Sequence, residues 1–309
     1  MADRIPKPAH GSLDWLLLRH SDNTGRCRFG ASEAPTLMGV NPWENLTDLY
    51  LAKTNPPQVS DPNPAMERGN VLEPALIAHA ATLLGQPVNT PDEMFTEGRL
   101  IATLDGITDD GRIIVEAKTT TAYSSDDPVP PAYYWQVQAQ LACVPTATYG
   151  LVVVLDKRMR LGSWVVVRND ADIAGLLLRA DEIGDCIDAR QLPVEAEPTE
   201  EQVKMLFPAP AGVVELPASA VALIDAWQAA KAARTDAEAL EQQYRDRVAA
   251  LLGEAESGTL DGRTLVTFKA RKGSSRLDVR GLERDHPALV DQYRVQGAPT
   301  RVLRSYSDG

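Results

Sequence analysis

Residues 104–118 read Leu-Asp-Gly-Ile-Thr-Asp-Asp-Gly-Arg-Ile-Ile-Val-Glu-Ala-Lys. Apolar runs at Leu100–Leu104 and Ile113–Val115 flank an Asp-Asp-Gly turn, a pattern that predicts a β-hairpin. Side chains alternate faces along a strand, so Glu116 and Lys118 share a face and Ala117 opposes them. Asp105, at the end of the first arm, would face Glu116 across the hairpin. Two carboxylates and an ammonium then converge at one end of a small sheet. Carboxylate oxygens suit a hard cation such as Mg²⁺, and a neighbouring lysine can orient or deprotonate a water or hold a phosphate. The same pattern, taken by itself, also describes an exposed hairpin with a solvated Glu and Lys.

Working outward, Ser12–Arg19 opens on a good N-cap and predicts a short amphipathic helix. A polar loop leads to a second helix begun near Ser32 and stopped at Gly39. The N–H groups at such a helix start, with the Ser32 hydroxyl and Arg26 or Arg28 nearby, offer a phosphate site; solvated arginines beside a capped helix are the plainer reading. Thr47–Lys53 and Met66–Leu84 read as helices, the second closed by Gly85. Glu73 lies beside the apolar stripe of that helix, so it is expected to point inward and to need a partner. His79 on the same helix reads as a core-edge residue. Pro131 starts a helix over Ala132–Cys143, on which Gln136 and Gln140 share a face. Thr148–Leu155 and Trp164–Arg168 read as strands, and Ala171–Ala189 as an acidic helix. Beyond the Pro- and Glu-rich residues 195–210 come a long helix, Ser219–Leu252, and strands at Gly258–Lys269 and Arg301–Tyr306. Between these strands lies a basic loop carrying Lys269, Arg271, Lys272 and Arg276, without interleaved aromatics and better suited to phosphates than to bases.

A chain of 309 residues is long enough for a main domain with an appendage, and its composition is that of a globular protein. It has neither a membrane-length apolar run nor the apolar stretch of a signal peptide, which predicts a cytoplasmic protein without a membrane partner. Three scattered cysteines, Cys27, Cys143 and Cys186, suit a reducing compartment and form no zinc or iron–sulfur pattern. The net charge of −12 excludes a generic nucleic-acid coat. From Thr259 onward, however, ten Lys/Arg stand against six Asp/Glu, a net of +4 that leaves −16 for the rest. A basic C-terminal unit on an acidic body permits local phosphate binding, and equally reads as ordinary solvated charge.

The ordered set resembles a known family. Trp15-Leu…Arg19, Phe29-Gly-Ala-Ser-Glu-Ala…Gly39, Arg68-Gly…Leu-Glu73-Pro, Leu104-Asp-Gly, Val115-Glu-Ala-Lys118 and Tyr134-Trp-Gln-Val-Gln138 together are similar to the YqaJ-type viral recombinases. These lambda-exonuclease-like proteins belong to the PD-(D/E)XK nuclease superfamily. The likeness covers roughly residues 12–168. It implies an α/β (α+β) restriction-endonuclease-like core, a central mixed sheet flanked by helices, with a long C-terminal helix and a β-hairpin. The organisation expected is a nuclease domain at 1–192, a linker at 193–218 and a C-terminal helix and basic hairpin unit at 219–309.

The resemblance also implies roles. Asp105, Glu116 and the Ala117 carbonyl would ligate Mg²⁺, for which Mn²⁺ can substitute, with Glu73 completing the metal or water network. Lys118 would position or activate water, and Gln136 would steady the lysine or the DNA. Ser32 would meet a terminal phosphate with one of Arg19, Arg26 and Arg28; the residues between 20 and 27 lengthen the usual link and leave that choice open. Leu104 stands where the motif has proline, and the cysteines of iron–sulfur relatives are missing, so no cluster is expected. The activity implied is a Mg²⁺-dependent DNA exonuclease, 5′→3′ on linear duplex, supplying single strands to an annealing or recombination protein and working as a homo-oligomer. An endonuclease or nickase of the same fold, or a non-catalytic DNA-binding scaffold, are the alternatives.

Overall fold

The computed structural model describes residues 3–59, 61, 63–209, 212–273, 275–296 and 301–305. The chain divides into two compact units, 1–206 and 207–309. The first begins with strand β1 (Asp3–Pro6), helix α1 (Leu13–His20) and the short strand β2 (Phe29–Gly30). A 3₁₀ turn (Ala31–Glu33) runs into α2 (Ala34–Leu37), followed by α3 (Leu46–Thr54) and α4 (Pro64–Leu84). Next come the short strand β3 (Val88–Asn89) and strands β4 (Glu93–Glu97), β5 (Leu100–Ala102), β6 (Gly106–Thr108) and β7 (Ile113–Thr119). Helix α5 (Pro131–Cys143), strands β8 (Tyr149–Leu155) and β9 (Leu161–Val167), and helices α6 (Asp170–Asp188) and α7 (Glu200–Leu206) complete it. The strands form two sheets, ordered β1-β4-β5-β2 and β3-β6-β7-β8-β9.

The larger sheet is mixed. β7 pairs antiparallel with β6 and parallel with β8, and α5 makes the crossover that a parallel pair requires. Both faces of β7 and β8 are covered, which is why these strands are nearly continuous apolar runs. Ile113, Val115, Leu151 and Val153 pack with Leu76, Ile77 and Ala80 of α4. Ile114, Val152 and Val154 join Val137 of α5 in the main core. Each fully buried Leu, Ile or Val contributes about 1.5–3 kcal/mol by leaving water, so this two-sided packing dominates the stability of the unit. It also sets the facing of the later residues of β7. Ala117 falls on the α4 face, and Glu116 and Lys118 on the α5 face.

The hairpin differs from its sequence reading in one arm. Leu100–Ala102 pairs with β4 and β2 in the smaller sheet, not with β7. The partner of β7 is Gly106–Thr108, registered as Gly106↔Val115 and Ile107↔Ile114. Gly98, at φ 56°, turns β4 back onto β5, so the apolar run of β5 is used up one sheet earlier. Asp105 therefore stands at the crossing between the sheets, and continuing the register still sets it opposite Glu116.

Residues 195–210, read as linker, include α7, whose buried Gln202 donates to Asn45 Oδ1 at 3.4 Å and also bonds Asp48 of α3. The second unit contains α8 (Ser219–Leu252), the hairpin β10 (Ser257–Leu260)–β11 (Arg263–Thr267), α9 (Val279–Asp285) and α10 (Pro287–Tyr293). The single strand expected at 258–269 is thus a complete hairpin. It turns through Asp261 and Gly262, both at positive φ, as a two-residue turn demands. Residues 301–305 form no strand, so the basic stretch from Lys269 follows the hairpin and does not link its arms; Tyr306, the end of that expected strand, lies outside the described residues. Among the described residues no helix is long and apolar enough to cross a membrane.

Close approach of α5 to β8 depends on Gly150, where an added Cβ would come 2.4 Å from Val137 Cγ1 and 3.2 Å from Ile114 Cγ1. Gly150→Ala is expected to cost about 1–3 kcal/mol through overpacking. The measurement is a lowered urea midpoint at unchanged m-value; an unmoved midpoint would mean that α5 is free to shift.

Candidate active site

The sheet crossing and the end of β7 bring the acidic residues together. Asp105 Oδ2 accepts the Ala117 N–H at 2.8 Å, and the Asp105 carbonyl accepts the Thr90 hydroxyl at 2.8 Å. The last β6 partner on β7 is Val115, so this edge of Ala117 carries no strand. The N–H and C=O of an extended residue point to the same side, which leaves the Ala117 carbonyl opening on the Asp105 edge.

Glu116 is 4% exposed. Its Oε1 accepts Gln136 Nε2 at 2.5 Å and lies 2.7 Å from the Lys118 ammonium. Its Oε2 accepts the Gln140 amide. The two glutamines stand one turn apart on α5, where the helix period places them side by side. A buried carboxylate needs such donors, because an unpaired one would cost several kcal/mol. Burial pulls the Lys118 ammonium toward deprotonation, but Glu116 and Asp105 outweigh it and hold the proton more firmly than usual. The ammonium also stands 5.6 Å from the centre of the Tyr133 ring.

A cavity of about 390 Å³ is lined by Glu73, Asp105, Glu116, Gln136, Arg19 and Ser32, among others. Burial, and then the charges of Glu116 and Glu73, push the Asp105 carboxyl well above its ordinary range against the pull of the Ala117 N–H and Lys118. Glu73 comes from α4, one residue before Pro74, which has no N–H to give. The Asn70 carbonyl therefore lacks its helical donor, beside Glu73 in the same lining.

Of the three candidate arginines, the structure brings Arg19 to this cavity. Its Nη2 donates to Ser32 Oγ at 2.8 Å, and its guanidinium lies 4.4 Å from the Trp15 ring centre. Burial lowers its pKa, and Glu33 and Glu116 oppose that shift. Gly30 makes room for it, since a Cβ there would sit 2.1 Å from Nη2. Arg26 instead pairs loosely with Asp181 at 3.8 Å, and Arg28 lines a separate depression with Asp14 and Asp22. Lys269, Arg271, Lys272 and Arg276 are exposed residues of the second unit.

Several contributors escaped the sequence reading. Lys53 of α3 is buried, donating to the Arg19 carbonyl at 3.0 Å and pairing with Glu33 at 2.8 Å; Glu33 in turn accepts the Gly30 N–H at 2.6 Å. This chain of contacts fixes both the end of α1 and the Ser32 turn. Gln140 shares a face with Gln136 in the sequence, yet only the fold shows that both amides serve one carboxylate. Lys7 and His10 also line the cavity, and no sequence motif marks them.

The donor set fits a hard divalent cation. Among the described residues no three His, Cys, Asp or Glu side chains gather closely enough to enclose a metal alone. Mg²⁺ does not need such an enclosure, because it takes one or two carboxylates and fills its remaining positions with waters and substrate phosphate. Asp105, Glu116 and the Ala117 carbonyl are oxygens of that kind.

The site thus combines a mixed sheet flanked by helices, an aspartate immediately before β6 and a Glu-x-Lys on the neighbouring β7. Residues 14–149 match the model of the YqaJ-like viral recombinase domain. The uncharacterized protein YqaJ of Bacillus subtilis (strain 168) is 24% identical over 193 residues, covering 58% of this chain and 57% of that protein. The chain thus spans a little over half the length of this curated relative. Among solved structures, the alkaline exonuclease LHK-Exo of Laribacter hongkongensis is 21% identical, with a TM-score of 0.48 over 58% of this chain and 94% of that one. A phage related exonuclease from Haemophilus somnus 129PT is 11% identical, with a TM-score of 0.44 over 54% and 98%.

Gln140→Leu keeps the side-chain volume close but removes a donor from buried Glu116. A hydrogen bond to a charged group contributes about 1.5–3 kcal/mol, and the loss of stability is expected in that range. Chemical denaturation measures it; unchanged stability would mean that another donor replaces the amide.

Proposed function

We propose that the chain is a metal-dependent DNA exonuclease that degrades linear duplex DNA from a 5′ end. The observation that carries this reading is the sharing of one cavity by Asp105, Glu116 and Glu73 with the Arg19–Ser32 pair. Phosphodiester hydrolysis needs the first group, and recognition of a terminal phosphate is served by the second. A guanidinium with an adjacent hydroxyl can bind the several oxygens of a terminal phosphate, while an internal phosphodiester offers fewer free ones.

Asp105, Glu116 and the Ala117 carbonyl would hold Mg²⁺, or Mn²⁺ in its place, and Glu73 would bind a water beside it. When bound, the ion neutralises charge developing on the attacking and leaving oxygens. Gln136 and Gln140 keep Glu116 oriented, which matters because small misplacements of a reacting group are costly in rate. Lys118, an ammonium on Glu116, donates to the attacking water and balances negative charge on the phosphate. Arg19 and Ser32 hold the 5′ phosphate and fix the register of the next bond. The domain organisation proposed is a nuclease domain followed by a C-terminal unit whose basic segment follows the DNA backbone. The partners proposed are duplex DNA, further copies of the chain and a single-strand annealing or recombination protein.

The test is digestion, with and without Mg²⁺, of linear duplex carrying a 5′-phosphate or 5′-hydroxyl, beside a closed circle. Only the linear DNA should be lost, faster with the phosphate. Lys118→Ala should lower the rate by about 10²–10⁴-fold, and Arg19→Ala should erase the preference for phosphate. Cutting of the circle would instead establish an endonuclease, and no cleavage with any divalent ion a binding protein. For the C-terminal unit, replacing Lys269, Arg271, Lys272 and Arg276 with Gln should flatten the dependence of log K on log salt by about 0.9 for each phosphate no longer neutralised. An unchanged slope would remove that segment from the DNA path.

A further inference from the structure

The cavity holds three carboxylates against two permanent cations, Arg19 and Lys7. A polyanion entering an acid-lined cavity needs cations placed along its course, and the two differ in how they are engaged. Arg19 is committed to Ser32 and to the Trp15 face. Lys7 is half-buried, and no ion pair joins it to a carboxylate among the described residues. The backbone at Lys7, one residue past β1, is secured, because the Lys7 N–H bonds the Asp92 carbonyl at 2.9 Å just beyond the β1–β4 pairing. His10, three residues on, meets the Trp15 ring edge-on with centroids 4.6 Å apart, and the Trp15 indole N–H donates to Thr103 Oγ1 at 3.3 Å. Trp15 thus carries Arg19 and His10 on one indole, and the held backbone after β1 presents Lys7 to the same cavity.

We infer that Lys7 and His10 form a second phosphate-binding subsite, distinct from Arg19–Ser32, which takes a backbone phosphate of the DNA strand away from its 5′ terminus. This rests on the exonuclease reading and adds to it. An ammonium without a carboxylate partner, on a long flexible stem, suits an internal phosphate that presents only two free oxygens; the planar guanidinium suits the terminal one. The imidazole N–H supplies a second donor. Interactions of this kind strengthen binding without reading sequence or end chemistry. The two cation sets therefore do separable work: Arg19–Ser32 distinguishes ends, and Lys7–His10 raises affinity for any strand in the cavity.

The experiment compares wild type, Lys7→Gln, Lys7→Arg, His10→Ala and Arg19→Ala on linear duplexes with 5′-phosphate or 5′-hydroxyl ends. It follows KM in Mg²⁺ and, with Ca²⁺ in place of Mg²⁺, the salt dependence of DNA binding. Lys7→Gln is expected to raise KM about tenfold on both ends alike and to reduce the salt slope by about one. Lys7→Arg keeps the charge and should retain the slope. His10→Ala is expected to raise KM about threefold on both ends, the effect of losing one neutral hydrogen bond. Unchanged KM and slope in Lys7→Gln, with wild type active, would overturn the subsite alone. Selective loss of the 5′-phosphate preference in Lys7→Gln would also overturn it, by merging Lys7 with the terminal-phosphate pocket. A wild type inert with every divalent ion would bring down the exonuclease reading instead.

Discussion

Everything in the site hangs on one buried carboxylate. Glu116 follows the buried run Ile113, Ile114 and Val115 in a strand covered on both faces. A charge in such a place is tolerated only with donors around it, and Gln136, Gln140 and Lys118 supply them. That demand fixes the rotation of α5, because two amides one turn apart must both face β7. It also fixes its distance, which the absent side chain of Gly150 permits. The helix joining β7 to β8 thus serves topology and chemistry together.

A second constraint acts on the other wall of the cavity. Arg19 must be held beside an open, acid-rich space although burial disfavours its charge. The solution is a relay of buried groups: Lys53 ties the Arg19 carbonyl to Glu33, and Glu33 ties the turn that presents Ser32. The smaller sheet adds rigidity through Arg99. Its guanidinium is enclosed at 3% side-chain exposure, pairs with Asp188 at 2.8 Å and Asp181 at 3.3 Å, and donates to the Cys27 carbonyl at 3.1 Å. These bonds hold Cys27, just before the strand Phe29–Gly30 that leads into the Ser32 turn.

The two sheets meet where the acids are placed. Asp105 stands where the chain leaves one sheet for the other, a position where a carboxylate can accept a strand N–H and still face a cavity. Helix α4 covers the neighbouring face and brings Glu73 to the same space, while Pro74 opens a backbone carbonyl beside it. A crossing of sheets, a strand end and a helix face are each ordinary features. Their coincidence produces the acid cluster.

Local signals along the chain set much of this. The N-caps at Ser12, Asn45 and Asn63, the left-handed Gly85 and the helix-opening Pro131 fixed helix positions, since capping depends on neighbours a few residues away. Strand alternation put Glu116 and Lys118 on one face for the same reason. The ordered motifs marked the resemblance that the match over residues 14–149 repeats. The true partner of β7 was not legible, because Leu100–Ala102 and Gly106–Thr108 are both acceptable strands and only competition among sheets chooses between them. The choice of Arg19 over Arg26 and Arg28 was equally hidden, as it depends on the room that Gly30 leaves and on a lysine thirty-four residues away. Lys7, His10 and Lys53 carry no motif, and their place comes from long-range packing. Short-range sterics and hydrogen bonding therefore wrote the elements and the identity of the acids into the order of residues. Which cations meet those acids was settled only by folding, because it depends on interactions between distant parts of the chain.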